Sequence, residues 1–171
     1  AGPGGYTAAF EAAKAGAEVT LVESARMGGT CLNCGCIPTK TLKSSAEALE
    51  TIRRAAEFGL SGAGDARVDM PAVVARKRKV IETLRGGLEK TCARLKVRLV
   101  RGRGRVVDAS LVEVALDDGS VENVPGDKVV IATGSNTLNV PSLPIDHTHI
   151  LTSDDALEID HVPARLLVVG G

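Results

Sequence analysis

The sequence has no tryptophan, one tyrosine and two phenylalanines in 171 residues, so it offers no array of rings on which bases or sugars could stack. It lacks an excess of either charge, because 21 lysines and arginines balance 21 aspartates and glutamates. That balance removes the electrostatic case for nucleic acid or an anionic membrane surface as a partner. No apolar run approaches the roughly 18–20 residues that a membrane-spanning helix requires. Four cysteines are too few to staple a chain of this length into a disulfide scaffold. The remainder is ordinary for a globular protein, with 44% apolar and 25% charged residues and a length that suits about one domain with a sizeable core. Three of the cysteines, Cys31, Cys34 and Cys36, fall within six residues. Such clustering points to chemistry rather than stapling.

The hydrophobic pattern changes period along the chain. Residues 7–15 are alanine-rich and free of breakers, with Gly16 where a helix-ending glycine belongs. Residues 17–22 form a short β-branched run that reads as a buried strand, closed by Glu23. Leu42, Ala46, Leu49 and Ile52 recur at helical spacing and predict a helix over 38–58, ended by Gly59. A small, polar stretch at 61–67 predicts a loop. A longer helix is expected over 70–95, with Val73, Val74, Ile81, Leu84, Leu88 and Leu95 on one face. Gly86 and Gly87 weaken its middle by about 1 kcal/mol each. Cys92 reads as a core position on it. The run Arg76-Lys77-Arg78-Lys79 spreads around the helix and reads as a solvated face rather than a nucleic-acid signal.

From Val97 the period is that of strands, expected at 97–100, 106–107, 111–114 and 129–132, with Asp117-Asp118-Gly119 as a hairpin turn. Pro141 and Pro144 mark a connector, and His147, His149 and His161 in it read as surface residues rather than ligands. Residues 152–155 resemble a helix cap before a short helix at Ala156-Leu157, and 166–169 reads as a further strand. The chain opens inside a glycine-rich loop and closes on an apolar run followed by Gly170-Gly171. A parallel βαβ unit needs a strand before its loop, so the sequence is expected to be a piece of a longer protein, cut at both ends.

Gly2-Pro3-Gly4-Gly5 and Glu23 form the first constellation. In a G-x-G-x-x-G turn one glycine lets the backbone approach a pyrophosphate and the last lets helix and strand pack closely. Gly2 and Gly5 fit those two places, and the helix that follows offers unpaired N–H groups to phosphates. Glu23, 21 residues after Gly2, is placed to accept hydrogen bonds from a ribose hydroxyl pair. An acidic residue there suits an unphosphorylated ribose, such as that of FAD or NAD.

The second constellation is Gly28-Gly29-Thr30-Cys31-Leu32-Asn33-Cys34-Gly35-Cys36-Ile37-Pro38-Thr39-Lys40. Cys31 and Cys34 make a C-x-x-C, while Cys31 and Cys36 make a C-x₄-C. A zinc site would need a fourth ligand at regular spacing, and neither a second C-x-x-C nor an H-x₃₋₅-H is present. A thioredoxin-like site would not carry a phosphate loop upstream. Three inert core cysteines would sit poorly among glycines and polar residues. A redox disulfide beside a flavin is the fourth alternative.

This segment resembles the redox-active stretch of the FAD-dependent pyridine nucleotide–disulfide oxidoreductases, G-G-T-C-x-N-x-G-C-x-P-x-K, and with Leu32 and Ile37 it is similar to the dihydrolipoamide dehydrogenases among them. The resemblance extends to the opening G-P-G-G-Y, Gly102-Arg103-Gly104, the Ala132-Thr133-Gly134-Ser135 turn and Ser153-Asp154-Asp155-Ala156-Leu157. It implies an α/β, Rossmann-like FAD-binding domain over 1–145 whose first strand is missing, with a parallel sheet, a long helix and an antiparallel excursion over 97–124. A connector over 146–163 and the first strand of a truncated NAD(P)-binding domain over 164–171 would follow.

By the same resemblance, Cys31 would be the thiol that exchanges with a dithiol substrate and Cys36 the thiol facing the flavin. Lys40 would lie near the flavin. Gly2, Pro3, Gly4, Gly5 and Glu23 would hold the diphosphate and ribose, with Gly29, Thr30, Cys31, Gly104, Thr133 and Gly134 as further FAD contacts. The whole protein would oxidise protein-bound dihydrolipoamide and pass electrons through FAD to NAD⁺, whose site lies beyond Gly171. A homodimer, lipoyl domains of 2-oxoacid dehydrogenase complexes, a cytoplasmic location and no metal site are implied as well. Cys34, Thr39 and Thr137 depart from the pattern, where a non-thiol residue, serine and proline are more usual. Mercuric reductase or another disulfide reductase of the family would share nearly every motif. A zinc or thiol redox-sensing module is the alternative of another class.

Overall fold

The computed structural model describes residues 1–62 and 64–170. Ala63, in the expected loop, and Gly171, at the end of the expected last segment, lie outside the described residues. The elements run α1 (Pro3–Lys14), β1 (Thr20–Glu23), α2 (Gly29–Cys34), α3 (Cys36–Arg53), a 3-10 turn (Ala55–Phe58), α4 (Met70–Arg94), β2 (Arg98–Asp108), β3 (Leu111–Leu116), β4 (Val121–Pro125) and α5 (Ser153–Ala156). The class is α/β, as expected. One four-stranded sheet has the order β1-β2-β3-β4. β1 and β2 are parallel, with α2, α3 and α4 in the crossover between them, and β2, β3 and β4 form the antiparallel excursion.

α1 begins earlier than its alanines alone suggest, because Pro3 occupies its first position with φ already set for a helix. It ends as the sequence indicates. Gly16 takes φ +95°, the Gly16 N–H donates to the Ala13 carbonyl and the Ala17 N–H to that of Ala12, both at 3.0 Å, the paired bonds of a Schellman cap. α3 stops at Arg53 rather than running through Phe58. Its last turn tightens into the 3-10 segment, which Gly59 ends at φ +73°. α4 spans Gly86-Gly87 without a break because packing outweighs their propensity cost: Val74, Ile81 and Cys92 are buried along it. Leu84 is the exception to the expected face, at 43% exposed.

The expected separate strands at 97–100 and 106–107 are one strand. Residues Arg98 to Arg101 of β2 pair with β1, and Gly102 onward pairs with β3. Gly102 makes the change of partner possible: it lies at φ +156°, and a Cβ there would stand 2.4 Å from the Ala115 carbonyl oxygen. The hairpin turn is where the sequence places it, with Gly119 at φ +85°. Two apolar clusters result. Ala9, Leu21, Met27, Cys92 and Val97 join α1, β1 and α4, and Val100, Val114 and Val124 lie under the antiparallel strands.

Three expectations are corrected. Residues 129–132 and 166–169 form no strand, although their composition favours one. Among the described residues no segment pairs with either, and Val130 and Ile131 stand 72% and 71% exposed. β-propensity expresses itself only against a neighbouring strand. The basic run of α4 is exposed at Arg76, Arg78 and Lys79, as expected, but not at Lys77. Lys77 is fully buried and donates to Glu158 Oε1 at 2.6 Å and to the Leu157 carbonyl. Arg76 reaches the Thr41 carbonyl at 3.1 Å, and Arg78 reaches Glu158 Oε2 at 2.9 Å. The short helix after Thr152 begins three residues earlier than expected, closed by a capping box between Thr152 and Asp155.

Met27, fully buried between α1, β1 and α4, is where a truncation costs most in the first cluster. Met27→Ala is expected to lower stability by about 2–5 kcal/mol, read as a fall in the urea midpoint at unchanged slope.

Candidate functional site

α1 is capped by Gly2 in an extended conformation with no side chain on its first N–H groups. The Gly4 and Gly5 N–H groups therefore have no intrahelical partner, and Gly4 is exposed. Gly5 is buried: a Cβ on it would stand 3.5 Å from the Ala132 Cβ and 3.9 Å from Leu21. That contact brings Ala132, and with it the exposed Thr133-Gly134 turn, to the start of α1. Glu23 ends β1 with its carboxylate largely covered. Its Oε1 accepts the Ala25 N–H at 2.8 Å and Oε2 lies 2.5 Å from the Ala1 nitrogen.

The cysteine segment lies directly on this loop. Gly28 and Gly29 take φ +104° and +58°, a Cβ on Gly29 would stand 2.4 Å from the Gly2 Cα, and the Gly28 N–H donates to the Ala1 carbonyl at 2.9 Å. Two glycines from separate segments thus meet backbone to backbone. Both conformations lie in the left-handed region, which costs other residues about 1–2 kcal/mol.

After this contact the chain turns into α2, a helix the spacing of apolar residues does not predict because glycines bound it on both sides. Cys31 and Cys34 lie on it, Gly35 breaks it, and Cys36 is the first residue of α3. A Cβ on Gly35 would stand 2.9 Å from the Thr30 carbonyl oxygen, so the break needs glycine. All four cysteines are free thiols. The neighbouring Cys36 thiol holds the Cys31 proton above the ordinary thiol range; burial adds to the shift, and the charge of Lys40 opposes it. Lys40 follows Cys36 by four residues on α3, one helical turn.

Cys34 faces elsewhere. Burial raises its pKa to about 11, helped by a hydrogen bond to Asp154 of α5 and by that carboxylate's charge. Among the described residues no group of three or more His, Cys, Asp or Glu side chains could hold a metal ion. His147 bonds Asp155 at 2.9 Å on the connector.

Of the residues singled out from the sequence, the structure brings together Gly2 with Gly29 and Gly5 with Ala132, and sets Cys31 and Cys36 on either side of the Gly35 break with Lys40 one turn further along α3. Thr30 supplies the carbonyl against Gly35. Gly104 stands apart from the cysteines on β2, where a Cβ would touch Val22 and Val112 at 3.4 Å, next to the residue that precedes Glu23. Asn33 and Arg85 were missed. The Asn33 amide donates to the Gly29, Met27 and Arg26 carbonyls at 2.9, 3.2 and 3.4 Å and accepts from Arg85 Nη2 at 2.7 Å. Asn33 stood inside the motif as a signal; Arg85, on α4, had none.

Two outcomes follow from this geometry. Gly29→Ala is expected to cost about 2 kcal/mol or more, whereas Gly4→Ala, whose Cβ meets nothing within 4 Å, is expected to be neutral or stabilising by up to about 1 kcal/mol; urea midpoints of the two variants test the contrast. Because the fold raises the Cys34 pKa from 9.0 to about 11, its contribution to stability is present below pH 9 and declines as pH rises toward 11. Cys34→Ala is expected to flatten that alkaline limb of a stability profile.

Comparison with known proteins identifies the family. The model of the pyridine nucleotide-disulphide oxidoreductase family matches residues 1–171. The dihydrolipoyl dehydrogenase of Haloferax volcanii is 42% identical over 173 residues, covering 100% of this chain and 36% of the relative. The mitochondrial dihydrolipoyl dehydrogenase of Dictyostelium discoideum is 38% identical over 172 residues, covering 99% of this chain and 35% of the relative. The crystal structure of LpdA from Mycobacterium tuberculosis superposes with a TM-score of 0.84 at 26% identity, over 95% of this chain and 36% of that one. The chain spans about a third of the length of these relatives.

Proposed function

The chain belongs to the pyridine nucleotide-disulphide oxidoreductase family, and from that premise we propose that the whole protein is a flavoprotein disulfide reductase that oxidises protein-bound dihydrolipoamide through Cys31 and Cys36. The observation that carries the reading is the placement of these two thiols on either side of the Gly35 break, Cys31 on α2 and Cys36 at the start of α3, with the Lys40 charge acting on Cys31. Two thiols near enough to act on each other's protonation can form and break a disulfide by exchange with a third thiol.

The residues present fit FAD. The start of α1 is uncapped, Gly29 approaches Gly2 so closely that a Cβ would fill the space, and a carboxylate stands at the end of β1. Gly2, Pro3, Gly4 and Gly5 would hold the diphosphate, where N–H groups and the helix dipole favour anions. Glu23 keeps lone pairs for a ribose hydroxyl beside the two contacts it already makes. Gly29, Thr30, Cys31 and Lys40 would lie toward the flavin, with Gly104, Thr133 and Gly134 as further contacts.

Starting from the Cys31–Cys36 disulfide, one substrate thiolate attacks Cys31 Sγ. The Cys31–Cys36 bond breaks and Cys36 leaves as thiolate. The second substrate thiol, deprotonated, attacks the mixed disulfide, releasing oxidised lipoamide and the Cys31 thiol. The dithiol pair then carries the two electrons lost by the substrate. When bound, FAD supplies the acceptor for that pair and the hydride source for NAD⁺. Residues 1–145 would be the FAD-binding unit, 146–163 a connector, and 164–171 the start of the NAD-binding unit. A second copy of the chain and lipoyl domains would be its partners. A reducing cytoplasm suits a disulfide that is catalytic rather than structural.

In the full-length protein, anaerobic addition of dihydrolipoamide is expected to reduce the flavin and bring up a long-wavelength thiolate-to-flavin absorbance. Flavin that stays oxidised on this addition would remove lipoamide as substrate, and a colourless protein holding zinc would remove the reading altogether. Cys31→Ser and Cys36→Ser are each expected to lower turnover by about three orders of magnitude or more, while Cys34→Ser retains most of it. An equal loss in Cys34→Ser overturns the assignment of the pair.

A further inference from the structure

We infer that Arg85 is a positioning residue for the reaction at Cys31, acting through the Asn33 amide; this rests on the reading of Cys31 as the exchanging thiol. A primary amide can present either its oxygen or its NH₂ to a neighbour. Arginine only donates, so the 2.7 Å contact from Arg85 Nη2 to Asn33 Oδ1 turns the oxygen toward α4 and both amide N–H groups toward the loop. There they meet the carbonyls of Gly29, Met27 and Arg26. These carbonyls belong to the segment that puts Gly28 and Gly29 in left-handed conformations and sets Gly29 against Gly2. Cys31 follows two residues later on the same short helix as Asn33. One side chain of α4 therefore sets the loop that meets the dinucleotide side and the helix that carries the thiol.

The arrangement is not one that stability alone would select. Arg85 Nε is buried without any hydrogen-bond partner, and an unpaired buried donor carries a desolvation penalty that an apolar side chain of similar length would avoid. The clamp is also single: among the described residues, Arg85 Nη2 is the donor that Asn33 Oδ1 accepts from. Displacement of a reacting atom by a fraction of an ångström to an ångström costs up to about a hundredfold in rate.

The test uses the flavin-loaded full-length protein. Arg85→Met keeps the stem and removes the donors. It is expected to lower kcat with dihydrolipoamide by about tenfold to a hundredfold with KM changed by less than about twofold, and to change the rate at which iodoacetamide labels Cys31 relative to Cys92. Arg85→Lys, which can still donate to Oδ1, is expected to recover most of both. In the double variant Asn33→Ala/Arg85→Met the loss should be no larger than in Asn33→Ala alone, because the two side chains act as one unit. Unchanged kcat and unchanged Cys31 labelling in Arg85→Met, or losses that simply add in the double variant, would overturn the inference. So would a fall in kcat that follows a falling urea midpoint with no recovery in Arg85→Lys. If the unmodified protein failed to turn over dihydrolipoamide, the functional reading would fall, while Cys31 labelling in Arg85→Met would still decide this inference.

Discussion

Two segments that are far apart in kind, a glycine-rich helix start and a cysteine-bearing helix, meet where Gly29 lies on Gly2, and everything chemical in the molecule is arranged around that contact. No side chain intervenes: a Cβ on Gly29 would stand 2.4 Å from the Gly2 Cα. Close backbone approach of this kind needs glycine, so the contact is defined by what Gly29 lacks. On one side the approach leaves the uncapped N–H groups of α1, which attract anions. On the other side it starts α2, and with it the placement of Cys31. The proposed site, a charged dinucleotide beside a thiol pair, needs these features within a few residues of each other, and the glycine contact supplies the proximity.

The thiols are sorted by their surroundings rather than by their spacing. Cys31 has its proton held by the neighbouring Cys36 thiol across a glycine break and feels the Lys40 charge. Cys34, one helical turn from Cys31 and nearer to it in sequence than Cys36 is, meets burial and the Asp154 carboxylate, both of which hold its proton in place. A neighbouring carboxylate and burial act in the same direction on a thiol. Asp154 can do this because α5 is anchored from elsewhere. Fully buried Lys77 grips Glu158 and the Leu157 carbonyl just beyond α5, and Arg78 takes the second oxygen of Glu158. A buried cation is stable only when paired and hydrogen-bonded, which makes this anchor specific in position.

α4 is the element that makes these separate arrangements consistent. Along its 25 residues it buries Cys92 in the cluster with Met27, Leu21 and Ala9, holds Arg85 against Asn33, and carries the basic residues that reach α3 and the connector. Gly86-Gly87 do not interrupt it because packing on either side of them outweighs the loss of propensity. The sheet shows the same rule in another form. β2 serves β1 and β3 in succession, and the one position where a side chain would strike the neighbouring strand, Gly102, has none.

Much of this was legible in the sequence because it depends on local physics. Helix periodicity located α3 and α4, a glycine in the left-handed region ended α1, an Asp-Asp-Gly sequence turned the hairpin, and the crowding of cysteines among glycines pointed to the family. The failures share one cause. β-branched residues at 129–132 and 166–169 were read as strands, but a strand exists only where another backbone lies beside it, and none does among the described residues. Four basic residues in a row were read as solvated, yet Lys77 is buried because Glu158 comes to it from 81 residues away. By itself the sequence determined the class of fold, the residues that could do chemistry and the family they resemble. Only the tertiary structure decided which glycines touch, that Glu158 comes to Lys77, and that Arg85 reaches Asn33, because each of these is a meeting of segments whose separation along the chain carries no local signal.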